Sequence, residues 1–291
     1  MRDIKLAAAA WSFHDQKNAG KCDIFRYMDL VKYRYHLDTA DIWSGFLPTL
    51  EDDFIAKVAG DLRDKHLTLV NLCVDGPYVW CDDAEERAAH KALMLRYIDA
   101  AEKLGAKTIR VDFGGPKGCT EHNMPEEAFD YIVNTYRDYA HICEDKGMKI
   151  GPENHWGWDL FPEYLEKVRD AVDSPAYGQL YHIDHFADEP ERGEEVCMSY
   201  AMHVHVPPAL TVLKSKEVIR RMEKQGYQGV YSVEYYSGGP LELERIDWHL
   251  ATLREYIAEL RLEGLDQPVT SDYIARLYQG IEFTPDVPNT K

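Results

Sequence analysis

Residues Ile150 to Gly157 read IGPENHWG. A short apolar run meets a proline, and Glu153, Asn154 and His155 follow before a tryptophan and a glycine. Lys149–Glu153 has the length and composition of a buried strand closed by a breaker. A carboxylate at such an end is costly to bury without a partner. The pattern recurs downstream: YGQLYHIDHF, from Tyr177, ends near His182, with Asp184 and His185 just beyond. MHVHV, from Met202, carries His203 and His205 on one face, because strand side chains alternate. VYSVEYY, from Val230, ends on Glu234. Positions 153, 182, 205 and 234 lie 29, 23 and 29 residues apart, each about one strand-plus-helix unit.

Working outward, four more strand patterns precede these: Ile4–Phe13, Thr39–Trp43, Leu67–Val74 and Thr108–Phe113. Helical patterns fill the gaps at Leu47–His66, Asp82–Leu104 and Pro125–Lys146, with acids near the starts and Gly105 and Gly147 just past two of the ends. After the eighth strand, Ile246, Leu250, Leu253, Ile257 and Leu260 are spaced 4, 3, 4 and 3, one apolar face of a long helix. Alternation of strand and helix over a whole chain implies a parallel sheet with helices outside. Eight units in 291 residues predict an α/β fold of the (β/α)8 TIM-barrel type. A doubly wound sheet would favour a G-x-G-x-x-G turn after an early strand, and none stands there. Residues 1–264 are read as one barrel domain carrying the catalytic site, and 265–291 as a C-terminal helix around Ser271–Gln279 with a proline-containing tail.

Composition narrows the function. Hydrophobic residues make up 45% of the chain, enough for a large core. The formal charge is −18, from 51 acids against 33 bases, which argues against a nucleic-acid partner. Six cysteines, none in C-x-x-C spacing, fit reduced thiols in a cytoplasmic protein. The apolar stretch near the N-terminus is too short for a signal sequence, and no run approaches a membrane span.

Active sites of such barrels form at the C-terminal ends of the strands. Glu153, His182, His205 and Glu234 would therefore converge on one rim. Two carboxylates and two imidazoles brought together call for a cation, and this donor set suits Mn2+, Fe2+, Co2+ or Zn2+, with Mg2+ less favoured as histidines increase. Five of the twelve histidines fall between His155 and His205, a concentration that ordinary structural histidines do not explain. His203 is expected to point deeper into the barrel than His205. Trp11, Trp43, Trp80 and Trp156 stand near strand ends, either as a stacking wall for a bound ring or as core packing.

Together IGPENHWG, YGQLYHIDHF, HVHVPP and YSVEYY resemble the xylose-isomerase-like TIM barrels, the superfamily of sugar-phosphate isomerases and epimerases. The resemblance runs from Ile4 to about Gly264. It implies a metal held by a Glu, an Asp, a His and a Glu from strands five to eight, matched directly by Glu153, His205 and Glu234. Strand six departs from the pattern: alignment on Gly178 puts His182 in the aspartate's place, with Asp184 as the fallback. Pro207 and Pro208 follow the strand-seven histidine where the family's epimerases tend to carry Gly-Glu and a downstream arginine.

The activity implied is isomerisation or epimerisation of a keto sugar by proton abstraction next to a carbonyl through a metal-stabilised enediolate, with Mn2+ the expected ion. Glu153 and Glu234 would exchange the proton, and His155, overhanging the substrate, could act as acid or base. His185, Asp184, His203, Asp112, Trp11 and Trp156 are the expected substrate contacts. The same intermediate could instead expel a leaving group, making the protein a lyase on a 3-oxo-glycoside or an inosose. A non-catalytic sugar-binding subunit is the alternative of another class. An apurinic endonuclease would want a histidine where Asp112 stands, and the acidity opposes DNA. The expected partner is a small sugar or sugar derivative, with a homo-oligomer or a small partner subunit also in view.

Overall fold

Eight parallel strands enclose the core of this computed structural model, which describes residues 1–117, 119 and 121–269. They are β1 (Leu6–Ala8), β2 (Thr39–Trp43), β3 (Thr68–Cys73), β4 (Thr108–Arg110), β5 (Lys149–Gly151), β6 (Gln179–His182), β7 (Ala201–Val206) and β8 (Tyr231–Val233). Ladders run β2-β3-β4-β5 and β6-β7-β8-β1. Parallel bridges Ala9–Asp41, Ile150–Tyr177 and Glu153–Leu180 join the two ladders at both seams, closing the barrel. The β5–β6 seam depends on two glycines: a Cβ on Gly151 would lie 1.7 Å from the carbonyl oxygen of Gly178.

The outer helices are α1 (Ile24–Asp29), α2 (Asp52–Asp64), α3 (Ala84–Leu104), α4 (Glu126–Asp145), α5 (Pro162–Val172), α6 (Pro190–Tyr200), α7 (Ser215–Lys224) and α8 (Glu242–Glu263). Local signals set their ends. Asp83 caps α3 by accepting from the backbone N–H groups of Glu85 and Glu86, each at 2.8 Å. Gly105 ends it at φ 76°, a left-handed conformation that favours glycine. Ile246, Leu250, Leu253, Ile257 and Leu260 are all buried on one face of α8, as their spacing predicts.

Several strands are shorter than the sequence reading, β4 ending at Arg110 and β5 at Gly151, and two boundaries differ most. The first strand is not Ile4–Phe13. It stops at Ala8, and Ala10–Phe13 turns into a 3-10 helix that carries Trp11 across the barrel mouth. The helix expected at Leu47–His66 begins at Asp52. Pro48 disfavours helical backbone at Leu47, which sits at φ −106° and ψ 88°. The helix expected around Ser271–Gln279 lies outside the described residues. Among the described residues, no helix is long and apolar enough to cross a membrane.

Candidate functional site

The tripeptide after Pro152 divides three tasks. Glu153 turns into the barrel mouth and is buried. Asn154 clamps strand five to strand six: its Nδ2 donates to the carbonyls of His182 and His185 at 2.7 and 2.8 Å, and its Oδ1 accepts from the His182 N–H at 2.8 Å. His155 turns back over the mouth, where its Nδ1 lies 2.9 Å from Asp112 Oδ2. Buried Asp159 fixes the backbone of this turn by accepting N–H groups of His155, Trp156 and Phe113 at 3.3, 2.9 and 3.1 Å.

Four side chains from the last four strands meet at the mouth. His205 Nδ1 lies 3.2 Å from Glu153 Oε1 and 3.4 Å from Glu234 Oε1. His182 Nε2 lies 3.1 Å from Glu234 Oε2. Ligand atoms of Glu153, His182 and Glu234 all fall within 4.8 Å of one another. Separations of about 3 Å between donor atoms are those around one ion with bonds near 2.1 Å. Below them, Asp41 Oδ2 stands 3.0 Å from His205 Nε2 and 2.9 Å from His203 Nε2. A carboxylate only accepts, so His205 donates from Nε2 to Asp41; its Nδ1 faces Glu153 and Glu234, where it offers a lone pair to a metal bound between them and, with none bound, carries a second N–H.

An imidazole nitrogen enclosed by two carboxylates is the test of fit for a cation. Burial disfavours an imidazolium at His205, but Glu234, Glu153 and Asp41 outweigh it and push its pKa well above the ordinary value. Burial likewise opposes ionisation of Glu153, yet His155, His205 and Arg110 lower its carboxyl to about 2. The pocket is built for positive charge between Glu153, His205 and Glu234, and its oxygen and nitrogen donors fit a divalent metal. Carboxylate support of a ligating imidazole is the usual outer arrangement of such centres.

The other expected residues separate. His155, His185, Asp184 and Trp11 line a cavity of about 560 Å³ over the cluster. Asp184, at φ 62°, is held by Lys214 at 2.8 Å and stays out of the cluster, so strand six presents His182 instead. Three expected substrate contacts do not line the cavity. His203 is sealed in the barrel interior between Asp41 and Ser232, because its place on β7 is two residues deeper than His205. Asp112 is buried behind His155 and faces Arg110 at 3.2 Å. Trp156 leans edge-on against Tyr78 with Lys117 over its ring. Trp80 is buried beneath Arg87, in the core-packing role, while Trp43 lines the cavity edge-on to Trp11.

Sequence reasoning missed Asp41, Asp75 and Arg110. Arg110 Nη1 reaches Asp75 Oδ1 at 2.6 Å, and its Nε lies 3.0 Å from Glu153 Oε2, near enough for an ion pair though out of line for a hydrogen bond. A signal was available: TADIW and TIRV each place a charged residue inside an otherwise apolar strand.

The chain matches the xylose isomerase-like TIM barrel family over residues 28–256 and belongs to that family. Among solved structures, a D-tagatose 3-epimerase-like protein superposes with a TM-score of 0.69 at 19% identity, covering 89% of this chain and 99% of its own. D-psicose 3-epimerase from Clostridium cellulolyticum H10 gives 0.71 at 15% identity, covering 88% and 99%. The 3-keto-D-glucoside 4-epimerase of E. coli gives 0.69 at 15%, covering 87% and 100%. At these identities the likeness is one of fold. No curated protein matches the sequence.

Proposed function

We propose that this protein is a divalent-metal-dependent isomerase or epimerase of a keto sugar. The observation carrying the reading is the convergence of Glu153 on His182, His205 and Glu234, which line the floor of the cavity while Glu153 lies buried against them, with His205 Nδ1 3.2 and 3.4 Å from the two carboxylates. The structural neighbours named as epimerases of keto sugars and a keto-glucoside support it. Glu153, His182, His205 and Glu234 would hold the metal, Mn2+ by preference, which would polarise the carbonyl and offset charge on the enediolate.

The chain's own groups do the proton work. Glu153 and Glu234 flank His205 from different strands. One removes the proton from the carbon beside the carbonyl and the other returns a proton, to the neighbouring carbon or to the opposite face. Asp41 keeps His205 in the tautomer that leaves Nδ1 free. Arg110 steadies the Glu153 carboxylate.

A second reading is favoured by the Asp112–His155 pair. Asp112 at 2.9 Å from Nδ1 orients the ring and leaves Nε2 free at the half-exposed mouth. His155 there supplies an additional acid or base, as β-elimination from a 3-oxo-glycoside requires. The carbon–proton bond breaks first, and the leaving group departs with the electron pair and takes a proton.

The test is incubation of the Mn2+-loaded protein in D2O with ketoses and 3-keto-glucosides. Deuterium entering the substrate without release supports the epimerase, and release of an aglycone or water supports the lyase. Glu153→Gln and Glu234→Gln should each lower the rate about 10²–10⁴-fold in a folded protein. His155→Ala should abolish release while only weakening exchange. No exchange or release by the wild type on any of these compounds would remove the proposal.

A further inference from the structure

Asp75 stands just beyond β3, at the end of a strand that supplies no member of the metal cluster. Its carboxylate is held by two hydrogen bonds and its backbone by a third. Oδ2 accepts from Trp43 Nε1 at 2.7 Å, Oδ1 accepts from Arg110 Nη1 at 2.6 Å, and its own N–H donates to Ser44 Oγ at 3.0 Å. The side chain nevertheless keeps 32% of its surface exposed, and that surface lines the cavity. An ionised carboxylate offers about four lone-pair sites. Two are engaged, and the rest face the chamber as acceptors held in place by the protein.

Arg110 ties this carboxylate to the reaction centre. One guanidinium edge meets Asp75, and its Nε lies 3.0 Å from Glu153. Glu153 and Asp75 thus lie one guanidinium apart, Asp75 on the chamber wall and Glu153 buried against His205 of the chamber floor, a separation within the reach of a sugar chain from its reacting carbon to hydroxyls a few carbons away. The indoles of Trp11 and Trp43 stand beside it, 4.7 Å apart and edge to face.

The charges of the chamber point the same way. Asp41, Asp75, Asp184 and Glu234 line it, and among the described residues Arg110 is the lysine or arginine that does so. Arg110 is already shared by Asp75, Asp112 and Glu153. An anionic group arriving at Asp75 would meet a fixed carboxylate whose arginine is already shared three ways, whereas a hydroxyl finds a strong acceptor.

We propose that Asp75 is a specificity-determining residue of this site: it accepts hydrogen bonds from hydroxyl groups of the substrate distal to the reacting carbon. It thereby selects a neutral polyhydroxylated substrate over one ending in phosphate or carboxylate. The inference rests on the reading of the cavity as a sugar site and names the substrate class within it.

The experiment uses Mn2+-saturated protein and four- to six-carbon sugar alcohols, with and without a terminal phosphate, followed by calorimetric titration. Sugar alcohols have no carbonyl, so binding is read without turnover. Wild type should bind at least one neutral polyol more tightly than its phosphate ester. Asp75→Asn keeps the size of the side chain and removes its charge. It should bind the neutral polyol about 10–100-fold more weakly, the loss expected for one charge-assisted hydrogen bond, while the gap to the phosphate ester narrows. A general loosening of the fold would weaken both ligands together and would overturn the proposal. So would wild type that prefers the phosphate ester or binds no neutral polyol. Should Asp75→Asn not fold, Asp75→Glu serves with the same expectation for the neutral polyol, and the phosphate comparison needs no variant. Polyol binding lost in the variant, with no deuterium exchange on any keto sugar in wild type, would leave this subsite standing and sink the proposed reaction. Exchange in wild type with unchanged KM in Asp75→Asn would do the reverse.

Discussion

Asp41→Asn isolates the support beneath the cluster. Asp41 is fully buried. Its Oδ1 accepts from Asn71 Nδ2 at 2.9 Å, and its Oδ2 faces Nε2 of His203 and of His205 at 2.9 and 3.0 Å. An asparagine has one accepting atom where the aspartate has two. Placed with its oxygen toward the histidines, its NH2 meets the NH2 of Asn71, which Thr108 holds through the Asn71 oxygen at 2.8 Å. Placed the other way, its NH2 meets two imidazole N–H groups. Either arrangement leaves a buried donor unmatched, at a cost of about 1–3 kcal/mol. For domains of 150–250 residues that corresponds to a melting shift of roughly 2–4 °C per kcal/mol. His205 can relieve the clash by moving its proton from Nε2 to Nδ1, but Nδ1 then presents N–H to Glu153 and Glu234 and loses the lone pair that would hold a metal. Losing such an outer partner typically lowers metal affinity about 10–100-fold. Calorimetric titration with Mn2+, beside a thermal melt in chelator, reads both effects. A folded Asp41→Asn protein with wild-type Mn2+ affinity would refute the reasoning, because the tautomer of His205 would then not depend on Asp41.

Two further outcomes concern stability. His249 is fully buried on α8, its ring 6.0 Å from that of Tyr235, and neither ring nitrogen has a hydrogen-bond partner among the described residues. Burial, with Arg245 adding to it, pushes its pKa down from 6.5 to about 3. Below pH 6.5 the unfolded chain takes up a proton that the folded chain refuses, so this group lowers stability as pH falls from 6.5 toward 3, by up to about 1.4 kcal/mol per pH unit. His249→Phe should flatten the acid limb of stability against pH by one proton, and an unchanged slope in urea melts at several pH values would show that His249 is not the group. Gly151→Ala would force a methyl onto the Gly178 carbonyl, 1.7 Å away, at the seam between β5 and β6. A loss of about 1–3 kcal/mol or more is expected, and a variant melting with the wild type would show that the seam tolerates separation.

The barrel was legible because period and punctuation are local. Alternating apolar runs, acids at helix starts and glycines past helix ends act on the chain within a few residues, and they place α3, α4 and α8 nearly to the residue. Boundaries failed where a neighbour in space or a proline intervened: β1 gives way to a turn after Ala8, and Pro48 delays α2. The convergence of Glu153, His182, His205 and Glu234 was also readable, since one residue per strand end at unit spacing must meet once the barrel closes.

What the linear order could not reveal is which groups meet across the barrel. Asp41 lies 164 residues from His205, and Arg110 lies 35 from Asp75 and 43 from Glu153. Nothing in the local pattern of TADIW or TIRV says which strand lies opposite. Spacing put His203 and His205 on one face with His203 the deeper, but only the closed barrel showed Asp41 sealing His203 away from the cavity that His205 lines. Sequence preferred His182 with Asp184 as the fallback, and it is a left-handed backbone and Lys214 that draw Asp184 aside. Local chemistry specified the strands, the helices and the residue types at the rim. Closure of the barrel, which converts distant positions into hydrogen-bonded neighbours, decided the tautomers, the charge balance and the shape of the site.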